Sequence, residues 1–203
     1  MKEYLILITC YLIGSIPFGF IIAKLVKKID IRDYGSGNIG ASNAFRTLGP
    51  GLAIFVLMGD ILKGFLAVYL FQIFNISDLL MVVLGGLVVI CGHDWSIFLK
   101  FKGGKGVATT YGVILAFHPL IAILSASTWL TILALTRYAS LASISSLSVL
   151  VILMVWFKQP VEYIAFSIII LCLALFSHRS NIIRLKEGKE NKIFNPKETK
   201  NQK

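Results

Sequence analysis

Apolar runs of about the length of a membrane-crossing helix alternate with short polar stretches along almost the whole chain. Runs at about 4–23, 51–74, 79–98, 140–157 and 160–178 each suit one crossing of a hydrocarbon core roughly 30 Å thick. The pattern therefore predicts an all-α integral membrane protein. The stretch Val107–Thr136 fits neither one span nor two. As a single helix it would be about 45 Å long, and it is too short for two complete crossings. His118-Pro119 near its middle predicts a turn, because proline disfavours helical backbone at the residue before it.

The basic residues decide between the two readings. If 107–136 is a hairpin of two short helices, Lys27, Lys28, Arg32, Arg46, Lys100, Lys102, Lys105, Arg137 and the C-terminal stretch share one side, and only Lys2 and Lys158 face the other. The bias of Lys and Arg toward cytoplasmic loops then predicts seven transmembrane helices, two of them short, with the N-terminus outside and the C-terminus cytoplasmic. The hairpin also predicts that the end of its first helix, GGKG, lies below headgroup level. Non-helical backbone at that depth has to line a cavity or be buried in protein.

Composition agrees with this reading. Hydrophobic residues make up 57% of the 203, charged ones only 15%, and the mean hydropathy is +0.82; a soluble domain carries about a quarter charged residues. One membrane domain, 1–184, is expected, followed by a mobile basic cytoplasmic tail, 185–203, near anionic headgroups. The first run carries Gly and Pro in GSIPFG (14–19) and lacks a small-residue cleavage site, so it reads as a span and not a signal peptide. The net charge of +10 reflects the loop asymmetry. No aromatic-interleaved basic helix supports binding to nucleic acid. Cys10, Cys91 and Cys172 lie far apart inside apolar runs, which suits buried small hydrophobes. No carboxylate cluster in the loops asks for a metal, and no cofactor is expected.

The polar loops predicted on the cytoplasmic side share one theme. The first, RDYGSGNIGASNAFRTLG (32–49), combines glycines with Ser36, Asn38, Ser42, Asn43 and Arg46. Hydroxyls, amides and a guanidinium that can bind bidentately suit phosphate or polyol oxygens, although a plain polar turn cluster looks similar. In the second, GHDWSIFLKFKGGKG (92–106), Lys105 follows Gly103 and Gly104 at a helix start, where backbone amides and a lysine favour an anion. A nucleotide P-loop is excluded, because Gly106 stands where Ser or Thr is needed. Lys102 and Lys100 also suit interfacial anchoring. The third loop, RYASLASISS (137–146), supplies Ser140 and Ser143, and SHRSNIIRL (177–185) supplies His178 and Asn181, an i, i+3 pair. Asp60 and Lys63 sit within a span at the same spacing and are expected to pair with each other.

GSIPFG, GSGNIGASNAFR, GHDWSIFLKFKGGKGVAT, RYASLASI and HRSNIIRL, in this order and spacing, resemble the bacterial acyl-phosphate:glycerol-3-phosphate acyltransferases, the PlsY-type family. The resemblance covers nearly the whole chain apart from the tail. It implies a seven-span enzyme of the bacterial inner membrane, active site toward the cytoplasm. Such an enzyme moves a fatty acyl group from acyl phosphate to the 1-hydroxyl of glycerol 3-phosphate, giving lysophosphatidic acid and phosphate in phospholipid biosynthesis. It also implies that Ser36, Arg46, Lys105, Ser143 and Asn181 contact phosphate or glycerol phosphate, that the backbone at Gly103 and Gly104 binds phosphate, and that His178 is the family's histidine. Asn38, Asn43 and Lys102 complete the expected substrate-binding set, with Lys105, Arg46 and His178 as the catalytic candidates. Ser180 replaces the family's usual Glu, and Ser42 its usual Thr.

An acyl phosphate has a good leaving group, and the chain has neither a G-x-S-x-G elbow nor an H-x-x-x-x-D motif. Direct attack by the glycerol hydroxyl is the expectation. The proton goes to the donor's own phosphate, the substrate-assisted route that the resemblance implies, or to His178. The rival reading is a membrane carrier for a phosphorylated solute. Against it stand the lack of an evident internal repeat and the gathering of polar motifs on one face.

Overall fold

A computed structural model describes residues 1–193, and these are helical, with no strand among them. The first apolar run is α1 (Lys2–Ser15) and α2 (Phe18–Ile22), continued by a π-helical turn over Ala23–Lys27. Ile16 is extended (φ −62°, ψ 115°), as Pro17 dictates for the residue before it. That break frees carbonyls inside an apolar region. Ser96 Oγ donates to the Ser15 carbonyl at 2.6 Å, and Lys63 Nζ donates to the Ile16 carbonyl at 3.0 Å. Both are thereby satisfied at a depth where water is scarce.

Then follow α3 (Ala41–Leu48), α4 (Pro50–Ile73), α5 (Leu79–Asp94), α6 (Val107–Phe117), α7 (Pro119–Thr136), α8 (Ala139–Trp156), α9 (Val161–Ser177) and α10 (Arg179–Lys186). Asp78 caps α5 by accepting from the Leu80 and Met81 amides. Pro119 opens α7 at its first turn, where a missing N–H costs nothing. Five stretches are long and apolar enough to cross a membrane: Lys2–Lys27, Pro50–Ile73, Leu79–Leu99, Pro119–Thr136 and Ala139–Trp156. The pair α9 and α10, bent by 63°, counts as a sixth if taken as one span.

The 107–136 stretch breaks at His118-Pro119, but unequally. The sequence predicts two short helices; instead α6 has 11 residues and α7 has a full 18. At 1.5 Å per residue they rise about 16 Å and 27 Å from a common turn, which recesses the start of α6 about 10 Å below the end of α7.

Small residues let the helices meet. A side chain on Gly14 of α1 would strike the Val89 backbone, and one on Gly92 of α5 would strike Tyr11. Gly64 of α4 and Gly112 of α6 face each other's backbones in the same way. Lipid tails are as apolar as leucine, so close approach of this kind, rather than burial from water, holds such helices together. Phe71, Ile114, Leu150 and Phe166 fill the interior, while Leu5, Ile8, Phe55 and Leu62 point outward, as suits a hydrocarbon surround. Part of the stretch expected to be a mobile tail has defined contacts with the rest of the chain. α10 runs across the boundary placed at 185, Gly188 (φ +67°) turns the backbone, and residues 187–193 return across the loops. Residues 194–203 lie outside the described residues.

Candidate functional site

One cavity of about 670 Å³ opens among α3, α4, α6, α7, α8 and α10. Its polar end holds Ser36, Asn38, Arg46, Lys105, Ser143, His178 and Asn181. Its other arm is apolar: Ile54, Leu57 and Ile61 on α4 face Ile123, Leu130 and Leu133 on α7. α4 and α7 scarcely touch across this arm, and Ile54, Ile123 and Leu130 are more than half exposed at its rim. A smaller polar cavity of about 200 Å³ adjoins it, sharing Asn38 and Lys105 and lined also by Gly104, Asp94 and Arg179. Lys102 is exposed and lines neither cavity; it fits the anchoring role.

Lys105 is delivered by a tightly folded loop. Lys100 and Phe101 both adopt positive φ (54° and 61°), which reverses the chain after α5. The amide of Gly103 then donates to the Asp94 carbonyl at 3.0 Å and that of Gly104 to the His93 carbonyl at 2.9 Å. This corrects the expectation that these two amides cradle phosphate, since the end of α5 already occupies them. Glycine at 104 serves close approach instead, because a Cβ there would run into the His93 ring. Gly106 (φ +68°) starts α6, whose first amides, at Val107 and Ala108, have no partner within the helix, and both residues line the main cavity.

The Lys105 ammonium donates to Asn181 Oδ1. Asn181 Nδ2 donates in turn to Glu190 Oε1 at 2.6 Å, which also receives the Ser140 hydroxyl at 2.8 Å, while Arg184 Nε binds Glu190 Oε2 at 2.9 Å. Arg46 donates to the Asn191 carbonyl at 3.0 Å and the Lys192 carbonyl at 3.4 Å. The strap is fixed beyond this by the Ile193 amide on the Arg137 carbonyl at 2.9 Å, and Lys192 lies 5.5 Å from the Tyr138 ring. Burial pushes the Lys105 ammonium down to about 8, with Glu190 opposing the shift and Arg184 and Arg46 adding to it. Burial alone would raise the Glu190 carboxyl; the hydrogen bonds from Asn181, Ser140 and Arg184 outweigh it and hold it below its ordinary value.

His178 is buried, with Nδ1 2.8 Å from the Ala174 carbonyl. A carbonyl only accepts, so Nδ1 carries the proton and Nε2 keeps its lone pair. The Ser143 hydroxyl donates to the Ala139 carbonyl at 2.8 Å and accepts from Trp129 Nε1 at 3.1 Å. Asn43 departs from its expected substrate-binding role. Its Nδ2 lies within 3.2 Å of the Ile31, Tyr34 and Asn38 carbonyls, and its Oδ1 accepts the Ser36 amide at 2.7 Å. Every polar atom of this buried amide is engaged in shaping the 31–43 loop, so it positions Ser36 and Asn38 and does not reach for a ligand.

Sequence reasoning missed Glu190, Arg184 and Ser140 as a network, and missed His93. Lys63 Nζ lies 2.8 Å from Asp60 Oδ1, the expected pair, but His93 Nδ1 joins it at 2.7 Å from the same ammonium. The one sign of the strap in the sequence is Gly188 just past a helix end, the residue that typically stops a helix and turns the chain. Among the described residues no group of His, Cys, Asp and Glu is arranged to hold a metal ion.

The family model for glycerol-3-phosphate acyltransferase matches residues 4–188. A glycerol-3-phosphate acyltransferase of Halalkalibacterium halodurans is 45% identical over 201 residues, covering 97% of this chain and 98% of its own. One from Thermoanaerobacter pseudethanolicus is 42% identical over 200 residues, covering 98% and 100%. Among solved structures, the glycerol 3-phosphate form of PlsY (YgiH), an integral membrane glycerol 3-phosphate acyltransferase, superimposes with a TM-score of 0.93 at 39% identity over the whole of both chains. Its lysophosphatidic acid form gives 0.89 at 38% identity, again over both whole chains.

Proposed function

The chain belongs to the glycerol-3-phosphate acyltransferase family, and we propose that it moves a fatty acyl group from acyl phosphate to the 1-hydroxyl of sn-glycerol 3-phosphate. The products are lysophosphatidic acid and inorganic phosphate, at the start of phospholipid synthesis. The observation that carries this reading is the joining, in one cavity, of a cationic polar end to a long apolar arm that opens sideways between α4 and α7. An amphiphile with an anionic head and one acyl chain matches both ends at once. We place the protein in the bacterial inner membrane with seven helices, α6 being the short one, the N-terminus outside and the polar end of the cavity facing the cytoplasm. The Lys and Arg distribution supports that orientation.

The donor's phosphate sits against Lys105 and the first amides of α6, where positive charge and unpaired N–H groups stabilise the charge that builds on the leaving group. Its chain lies along Ile54, Leu57, Leu130 and Ile123. Arg46, Ser36, Ser143 and Asn181 orient glycerol 3-phosphate, so that much of the acceleration is positioning. The 1-hydroxyl oxygen attacks the acyl carbonyl carbon, the carbon–oxygen bond to phosphate breaks, and phosphate departs. The hydroxyl proton passes to the departing phosphate, or to the lone pair on His178 Nε2. For phosphate to bind at Arg46 and Asn181, the strap contacts at Asn191, Lys192 and Glu190 rearrange or are shared with the ligand.

The test uses purified protein in detergent or lipid with palmitoyl phosphate, glycerol 3-phosphate and no added metal, following phosphate release. Release that needs both substrates and falls by a factor of about a hundred to a thousand in Lys105→Ala supports the reading; that is the range for losing one preorganised charge-stabilising donor. Binding of glycerol 3-phosphate without release would bring forward a carrier. Near-normal turnover in His178→Ala would leave the donor phosphate as the proton acceptor.

A further inference from the structure

The buried cluster of Asp60, Lys63 and His93 lies beside the site yet has no part in the reaction described above. Asp60 and Lys63 are each 2% exposed and His93 is 4% exposed. Three acceptors surround the lysine: the Ile16 carbonyl at 3.0 Å, Asp60 Oδ1 at 2.8 Å and His93 Nδ1 at 2.7 Å. The Ile16 carbonyl and His93 Nδ1 are its hydrogen-bond partners and Asp60 is its ion-pair partner, and an ammonium has N–H groups but no acceptor, so toward Nδ1 it can only donate. Nδ1 of His93 is therefore the bare nitrogen, and the proton of a neutral ring must sit on Nε2. The Asp60 oxygen, at 3.4 Å from Nδ1, is the more distant partner.

The Nε2 edge is the one that abuts Gly104, where only a glycine leaves room for it. The main chain of His93 holds the same residue through the Gly104 amide. Lys105 is the next residue, and its ammonium turns to Asn181. A ring with a lone pair on Nε2 would offer that ammonium a rival acceptor, and a charged ring would repel it. An N–H there does neither.

We propose that Lys63 locks His93 as its Nε2–H tautomer, and that His93 is a positioning residue that seats the Gly104–Lys105 segment so that Lys105 faces Asn181 and the anion site. Its bearing on acyl transfer rests on the function proposed above; the tautomer does not.

The test uses the full chain in lipid nanodiscs with 15N-labelled histidine, the His93 signals being identified by their loss in His93→Gln. Expected are an unprotonated Nδ1 and a protonated Nε2 that do not change between about pH 5 and 9, a range spanning the ordinary imidazole transition. The charged groups near the ring are Asp60 and Lys63 on α4, its neighbour Asp94, and Lys105 on the loop. In Asp60→Leu/Lys63→Met, which removes both charges together, the two tautomers mix. Turnover of palmitoyl phosphate is measured in parallel. His93→Gln can turn its oxygen to Lys63 and its amide N–H to Gly104, and loses less than about threefold in kcat/KM. His93→Phe can do neither and loses about tenfold, the size of one neutral hydrogen bond, with half-saturation by glycerol 3-phosphate unchanged. A wild-type ring protonated on Nδ1, or one that titrates, overturns the proposal, as does equal loss in the Gln and Phe variants. If the wild-type protein releases no phosphate from acyl phosphate, the proposed reaction falls, and the spectra still decide the tautomer.

Discussion

Two lysines, Lys63 beside Asp60 and Lys105 linked through Asn181 to Glu190, sit in opposite circumstances. Around Lys63, the Ile16 carbonyl and His93 Nδ1 take hydrogen bonds, the charges of Asp60 and Lys63 cancel, and almost nothing is exposed. Around Lys105, the partners are strung out through Asn181 to Glu190 and Arg184, the lysine is half-buried, and the cavity is open beside it. A pair without net charge and almost without exposure has little to hold an anion with. The set around Lys105 stays open to the cavity, with the two cations Lys105 and Arg184 near one carboxylate, Glu190. A lysine near an acid inside a membrane protein therefore differs by its surroundings: the enclosed pair ties α4 to α5 and the α1 break, and the open one is where the proposed function puts an anion.

The sharpest way to break this contrast is to open the closed set. Lys63→Met alone leaves Asp60 buried and uncompensated, and should destabilise the fold by about 3–5 kcal/mol, read as unfolding in detergent. Asp60→Leu/Lys63→Met should recover most of that loss, since replacing a buried pair by apolar groups is often neutral. Lys105→Ala should do the reverse, removing turnover while shifting the unfolding transition little, because its site is partly exposed to begin with. The smallest effect tests the far end of the open set. Glu190 favours the charged form of Lys105, so Glu190→Gln should lower the lysine below its value of about 8. Activity that needs the ammonium is present below that value and lost above it, so its alkaline decline should begin at lower pH than in the unmodified protein. An unchanged profile would show that the strap's carboxylate is not felt at Lys105.

The same contrast explains what could be read from the chain. The long apolar runs and the break at His118-Pro119 follow from local rules, hydrophobic run length and proline geometry, but the unequal lengths of α6 and α7 do not. So does the convergence of Arg46, Lys105, His178 and Asn181, whose side-chain chemistry suits one anionic ligand class. Gly103 and Gly104 could not be interpreted locally, because their amides are engaged by carbonyls at the end of α5, and nothing in a glycine's neighbours reports a backbone partner ten residues away. Asn43 resembles Asn38 in sequence and both line the cavity, and only the curl of the 31–43 loop ties up every polar atom of Asn43. Glu190 sits in a lysine-rich stretch beside Glu187, and its burial depends on Gly188 turning the chain over α8 and α10. His93 became legible only once α4, α5 and the α1 break were in contact.

In the proposed reaction, the recess of α6 gives the two substrates different approaches to one point. Lys105 lies about 10 Å below the level where α7 ends, with apolar helices for walls and a polar mouth above. Low-dielectric walls confine the field of a buried cation and direct it out through the wet opening. A doubly charged, water-borne phosphate ester is thus drawn down a potential gradient that dissolved salt weakens. The greasy donor of the proposed reaction comes in through the side, across hydrocarbon that holds no counterions, and finds the charge only on arrival. The same lysine acts at long range on one reactant and at contact on the other.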